Sequence, residues 1–309
     1  MTKNNSDNLS IFSSLHSNEE STHAGNEFQL ISEYINELCG ILIPPEKSYL
    51  IETRLTKLML DVGAGSFMEF YEHITTKPNE NMQQMIINAI TTNETMWFRD
   101  GVPWKLLEEI YLPNLIAEYV KGNINRIRFW SAAVSTGQEI YSTVMCVDDY
   151  LSRNPTSGVD ISCFEFIATD ISGNTLDIAK KGRYDSISIM RGLDDYHREK
   201  YFTKLGSVWE IDPKIRDAVR FEKFNLKNEY TRFGLFNVIF CRYVLIYFSE
   251  TLKKITIDKM HNALSDGGVL LTGNYVLFDL LQGDFDINHY GNLTYYVKKA
   301  GHDNETACC

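Results

Sequence analysis

Four stretches carry residue types that could handle a ligand. The first reads RFWSAAVSTGQEIYS, Arg128 to Ser142. A strand pattern runs into Ala132, Ala133, Ser135, Thr136 and Gly137, and a helix pattern opens at Glu139. Small residues let a ligand approach the backbone, and a helix N-terminus favours polar or anionic groups. Tight packing of helix on strand explains the same residues equally well. The second stretch, FIATD, ends on Asp170. A carboxylate at a strand end can accept hydrogen bonds from both hydroxyls of a ribose, or it can cap the helix that Ser172 opens. The third, FNVIFCRYVLIYF, sets Arg242 directly after Cys241 in a buried-strand pattern. Arg242 either serves a site or escapes to solvent at the strand end. Tyr247 reads as a core aromatic with its hydroxyl at the rim. The fourth, TTNETMWFRD, offers Asn93, Thr95 and Arg99 beside Trp97 and Phe98. A polar cluster next to aromatics between two domains is a common place for a ligand, and ordinary linker capping is the plainer account. Neither GxGxxG nor GxxxxGKS/T occurs, so dinucleotide and nucleoside triphosphate fingerprints are missing.

These stretches need elements to hold them. Residues 27–90 read as short helices. Phe28, Ile31, Ile35 and Leu38 fall at helical spacing, with Gly40 as the stop. Ile51, Leu55, Leu58 and Val62 form a second stripe. Ser66 with Glu69 makes a capping box for a third helix, and Met82, Met85, Ile86 and Ala89 mark a fourth. The pattern changes near residue 100. A helix from Val102 to Val120, kinked near Pro113, leads into alternating strands and helices: Arg126 to Ser131, Glu139 to Leu151, a strand ending at Asp170, a helix from Ser172 to Gly182, Ala218 to Phe224, Phe236 to Tyr243, and a helix capped by Ser249 and ended by Gly267-Gly268. Val269 to Thr272 and Thr294 to Lys298 close the chain as an antiparallel edge. Such alternation predicts an α/β, doubly wound, mostly parallel sheet, which binds ligands at the carboxyl ends of its strands. The expected division is a disordered leader 1–24, a helical domain 25–95, an α/β domain 96–301 with a small insertion near 185–217, and a tail 302–309.

Composition narrows the function classes. The chain has 309 residues, and 41 acidic against 30 basic side chains give a net charge of −11. That balance disfavours nucleic acid, which needs clustered Lys and Arg. The strongest apolar run, 13 residues from Phe236 to Phe248, contains Arg242, whereas a membrane helix takes roughly 20. No direct membrane insertion is expected. The six cysteines form no CxxC pair and the seven histidines are dispersed, which reads as reduced thiols in a cytoplasmic protein without a structural metal.

In order along the chain, ILIPPEKSYLIETRL, TTNETMWFR, WSAAVSTGQEIYS, ATDIS, the Leu176, Ala179, Gly182-Arg183-Tyr184 run, VRFEKFNL and VIFCRYVLIYF resemble the CheR family of chemotaxis receptor glutamate O-methyltransferases. The resemblance spans about residues 27 to 300. It implies a Rossmann-like domain for S-adenosylmethionine (SAM) behind a small all-helical domain. It also implies roles. Asn93, Thr95 and Arg99 would line the cofactor pocket, Glu139 would face the methionine end, and Asp170 the ribose. Asn225-Leu226 and Arg242-Tyr243 would flank the nucleoside. Arg99 and Tyr247 would orient the accepting carboxylate. Arg54 and Lys57, one turn apart, would dock the acidic cytoplasmic helices of chemoreceptors, unless they are simply a solvated helix face. Some relatives grip a receptor's C-terminal pentapeptide with a glycine-rich loop. Here YFTKLGSVWEIDPKIR has one glycine, so the type without that tether is expected. Two departures stand out: Tyr243 where the family usually has Asn, and Asn274-Tyr275 where Ser-Glu is common. They leave open a second reading, a degenerate SAM-binding regulator without turnover.

Overall fold

The computed structural model describes residues 26–156, 158–273 and 283–300. The expected leader and tail, the Cys308-Cys309 end and Asn274-Tyr275 lie outside these residues. The chain divides into two compact units, Met1–Thr91 and Thr92–Cys309.

The first unit is helical: α1 (26–39), α2 (Tyr49–Asp61), α3 (Phe67–Thr76) and α4 (Glu80–Ile90). Gly40 stops α1 in the left-handed backbone expected of a C-terminal cap. The Ser66 hydroxyl accepts the Glu69 N–H, while the Glu69 carboxylate reaches back to the N–H of Gly65. The capping box therefore closes one residue upstream of its usual form. Ile31, Ile35, Ile51, Leu55, Phe70 and Ile74 form the core. On α4 the buried face is Ile86, Ile87 and Ile90, with Met82, Met85 and Ala89 at its margin. Three isoleucines turn the helix further than the methionine stripe predicts.

The second unit begins at Thr92, not after residue 95. Tertiary bonds claim this segment: Trp97 is fully buried, its backbone N–H donates to Arg191 O and its indole N–H to Ser188 O. The chain continues through α5 (Val102–Leu106), a π turn (Leu107–Tyr111) and α6 (Leu112–Val120). Pro113 has no N–H to give, and Leu112 bonds five residues back, to Leu107 O. Then come β1 (Ile127–Ala132), α7 (Gln138–Arg153), β2 (Phe164–Asp170), α8 (Gly173–Lys181), β3 (Arg183–Asp185), α9 (Ser186–Met190), α10 (Asp195–Tyr201), β4 (Phe202–Leu205), β5 (Val208–Ile211), α11 (Pro213–Arg216), β6 (Val219–Lys223), β7 (Phe236–Phe240), α12 (Glu250–Ala263), β8 (Leu264–Leu271), β9 (Phe285–Tyr290) and β10 (Leu293–Lys298).

Seven strands form one sheet in the order β6-β2-β1-β7-β8-β10-β9, with parallel pairing from β6 to β8 and β10 antiparallel to both its neighbours. A separate sheet, β3-β5-β4, is the insertion. Successive side chains point to opposite faces, so Phe129, Phe166, Val238 and Leu271 enter one core while Trp130, Ile167, Ile239 and Leu270 enter the other. Burial on both faces explains the unbroken apolar runs of β7 and β2. Three expected boundaries move. β7 ends at Phe240, before Arg242. Helix α12 ends at Ala263, and Gly267-Gly268 lie inside β8, where the register with β7 slips. A Cβ on Gly268 would fall 2.7 Å from Ser265 O, so this glycine allows the bulge. Strand β9 escapes sequence reading because FDINHY is half polar and buries only Phe285.

Candidate active site

The sheet brings four strand ends to one edge. Ala132 pairs with Thr169 across β1 and β2, Asp170 with Lys223 across β2 and β6, and Ser131 with Phe240 across β1 and β7. The order reverses at β1, because β2 lies on one side and β7 on the other. A crevice forms at such a switch point.

The loop after β1 is tightly coiled. Ala133, Ser135 and Gly137 all have positive φ, at 65°, 55° and 98°. A Cβ on Gly137 would meet Ala179 Cβ and the Tyr141 ring, each at 3.0 Å, so the loop needs glycine there to close on α8. Asp170 braces the loop: one carboxylate oxygen accepts the Ser135 N–H at 2.8 Å, the other the Ser172 N–H at 2.9 Å. Burial pushes the Asp170 carboxyl up, and these N–H bonds only partly oppose it. Asp170 thus performs the bracing that capping predicts. The Ile171 N–H and the Thr175 hydroxyl bond the same carboxylate, so its four or so acceptor positions are already engaged within the protein. Asn225 follows β6, its Oδ1 accepting the Lys227 N–H, and Leu226 is buried beside it. The Ser135 hydroxyl donates to Asn93 O, which fixes the start of the Thr92 segment, and Thr95 follows as a half-buried residue.

Arg242 does not escape to solvent. Its side chain is 1% exposed and joins three partners. Nη1 donates to Glu139 Oε2 at 3.1 Å, and Nη2 donates to Arg99 O at 2.8 Å and to Asp100 Oδ2 at 2.6 Å. Ser131 Oγ holds the other Glu139 oxygen at 2.6 Å. Arg242 Nε is buried without a partner among the described residues. The Arg99 guanidinium lies 3.6 Å from the Tyr243 ring centroid, and the Tyr243 hydroxyl donates to Asp100. Phe98, Asp100 and Tyr243 have φ of 44°, 70° and 59°, rare for such side chains and typical of strained functional backbone. Tyr247 ends a 3-10 turn (Leu245–Tyr247) and packs against the core. The aromatic ring against Arg99 is that of Tyr243.

Sequence reading passed over Asp100, Ser131 and Ser142. Ser142 Oγ accepts the Phe98 N–H at 3.0 Å and itself donates to Gln138 O. The acid directly after Arg99 was the available signal for Asp100. Away from this unit, Arg54 is half-buried and its guanidinium bonds Ile90 O and Thr91 O, the carbonyl end of α4. A cation is favoured there for local reasons. Lys57 is exposed.

A cavity of about 600 Å³, lined by Phe98, Trp104, Asp149, Tyr196 and His197 among others, includes none of the strand-end residues. His197 packs against Phe98 at a tilt of 41°, with ring centroids 4.4 Å apart. Its Nε2 is 3.1 Å from Asp149 Oδ2 and its Nδ1 2.8 Å from Asp194 Oδ1. Burial opposes protonation, but the two carboxylates outweigh it and raise the His197 pKa. Such a group stabilises the fold fully below the ordinary value of about 6.5 and loses that contribution as pH rises through its raised value. Thermal melts from pH 6 upward should show stability falling in that window, and His197→Gln should flatten the slope. A wild-type slope that His197→Gln leaves intact would refute this assignment.

The residues present fit SAM. Two carboxylates, Asp170 at the end of β2 and Glu139 in the first turn of α7, stand at the strand ends beside a loop of small residues. Comparison with known proteins agrees. Residues 93–287 match the model of the CheR methyltransferase SAM-binding domain, and residues 26–91 that of the CheR methyltransferase all-alpha domain. Chemotaxis protein methyltransferase Cher2 of Pseudomonas putida is 38% identical over 249 residues, 80% of this chain and 88% of that protein. Chemotaxis protein methyltransferase 1 of Pseudomonas aeruginosa is 39% identical over 255 residues, 81% and 89% of the two chains. With both units matched in order, a helical one and then a SAM-binding one, the chain belongs to the CheR methyltransferase family.

Proposed function

We propose that this protein transfers methyl groups to glutamate side chains of chemoreceptors, in the cytoplasm. The observation that carries the reading is the Arg242 hub, which ties Glu139 to the backbone of Arg99 at the switch point of the sheet. When bound, SAM supplies a sulfonium-activated methyl group. Asp170 would hold the ribose hydroxyls, and Glu139, on the α7 N-terminus, the ammonium of the methionine end. Asn225, Leu226 and the Asn93–Thr95 segment would close round the nucleoside. A glutamate is already ionised at neutral pH, so the acceptor needs no general base. The chain's task is alignment of two reactants and exclusion of water. Arg99 would grip the carboxylate through charge-assisted hydrogen bonds, with Tyr247 at the rim as a second contact.

Labelled methyl transfer to receptor-enriched membranes tests the function. Alkali-labile label on the receptor supports it. SAM binding without transfer would instead favour the regulator, for which the Tyr243 departure is the motive. Asp170→Ala is expected to weaken S-adenosylhomocysteine binding by about 1–3 kcal/mol, read by calorimetry. Unchanged affinity would leave Asp170 a brace for the Ser135 and Ser172 loops alone.

Docking is a coarser matter. Among the described residues no helix is long and apolar enough to cross a membrane. Arg54 is engaged with the α4 carbonyls, so of the two cations expected to dock receptor helices Lys57 is the better placed. The β4–β5 hairpin turns at Gly206, its lone glycine, which supports action without the pentapeptide tether. The isolated pentapeptide should then give no calorimetric signal, and measurable binding would reverse this assignment.

A further inference from the structure

We propose that Tyr243 is a positioning residue for Arg99, its ring a shelf that turns the edge of the guanidinium toward the incoming carboxylate. The inference rests on the role given to Arg99 above. At 3.6 Å from the ring centroid, the Arg99 guanidinium is close enough to lie face-on against Tyr243. All five guanidinium N–H groups lie in its plane. A face laid on the ring therefore leaves the donor edge open for a planar carboxylate.

The shelf is itself fixed. The Tyr243 backbone takes φ 59°, and its hydroxyl is tied to Asp100, which Arg242 holds at 2.6 Å. Beneath the ring is Gly273, where a Cβ would fall 3.1–3.3 Å from three ring carbons. Any larger residue at 273 would push the ring toward Arg99. Arg242 meanwhile grips the carbonyl of Arg99 at 2.8 Å. Two consecutive residues after β7 thus restrain both parts of Arg99, Arg242 its backbone and Tyr243 its side chain. The ring lies against Arg99 and the hydroxyl is taken up by Asp100, whereas the family's usual Asn at this place would suggest a nucleoside contact.

Two variants of the full chain test this, with receptor-enriched membranes and labelled SAM for turnover and S-adenosylhomocysteine calorimetry for binding. Tyr243→Gly accepts the left-handed backbone and removes the ring. Its kcat should fall about tenfold, with nucleoside Kd changed less than about twofold and no further loss when added to Arg99→Ala. Tyr243→Phe keeps the ring and gives up the hydroxyl, and should lose only about threefold. If the glycine variant does not fold, Tyr243→Asn, ringless and tolerant of the same backbone, replaces it with the same expected split. Nucleoside affinity falling in step with kcat, full turnover without the ring, or a penalty that persists in Arg99→Ala would each overturn the shelf. A wild-type chain that transfers no methyl overturns both readings, whereas an active wild type with an indifferent ringless variant overturns the shelf alone.

Discussion

Arg99→Ala is expected to lower methyl transfer by about 10- to 150-fold, the worth of a charge-assisted hydrogen bond to an ionised group. Among the described residues the Arg99 side chain meets the Tyr243 ring and makes a 3.3 Å bond to Glu94 O. Only its backbone carbonyl takes part in the Arg242 hub, and alanine keeps that carbonyl. Binding of S-adenosylhomocysteine should therefore stay within about threefold, so that kcat and nucleoside affinity separate. Stopped-time transfer assays and calorimetry on the same preparation make the comparison. Equal loss in both would place Arg99 on the cofactor and leave the acceptor carboxylate without its cation.

Arg242→Met should act on the fold first. The guanidinium is almost wholly buried between Glu139 and Asp100, whose side chains are 12% and 32% exposed. Removing it leaves two carboxylates facing each other with no counter-charge. Breaking a buried pair by deleting one partner costs about 3–5 kcal/mol. Because the charges act as a unit, Arg242→Met with Glu139→Gln should be less damaging than the sum of the two changes. Urea unfolding at constant m-value reads the difference. A single variant within about 0.5 kcal/mol of wild type would show that the hub contributes little to stability.

Much of this was legible in the sequence. Period-2 and period-3.6 patterns gave the order of the helices of the first unit and of the main strands and helices of the second, but not the insertion sheet or β9. The capping residues Ser66, Ser172 and Ser249 begin helices as expected, and Gly40 and Gly182 end them. The motifs from TTNETMWFR to VIFCRYVLIYF pointed to one family before any geometry was known. These features are local. They depend on which groups can satisfy a neighbouring backbone N–H or fit a left-handed turn, and a few adjacent residues decide that.

Other features depended on partners distant in the chain. Asp100 lies 142 positions from Arg242, and neither residue alone tells that they meet. That Arg54 bonds the last carbonyls of α4 is likewise set by residues 36 and 37 positions away. Gly267-Gly268 read as a helix stop because nothing nearby reveals the register slip with β7. Tyr243 faces Arg99 because the left-handed turn after β7 aims it there over Gly273, a contact that no neighbouring residue announces.

The sequence by itself determined the family, the two units and the cast of polar residues at the strand ends, since backbone propensity and ordered motifs are written in neighbouring positions. The tertiary structure decided which of those residues touch. Charge pairing and ring stacking act over a few ångströms in space, and only the closed sheet brings Arg99, Asp100, Glu139, Arg242 and Tyr243 within that range.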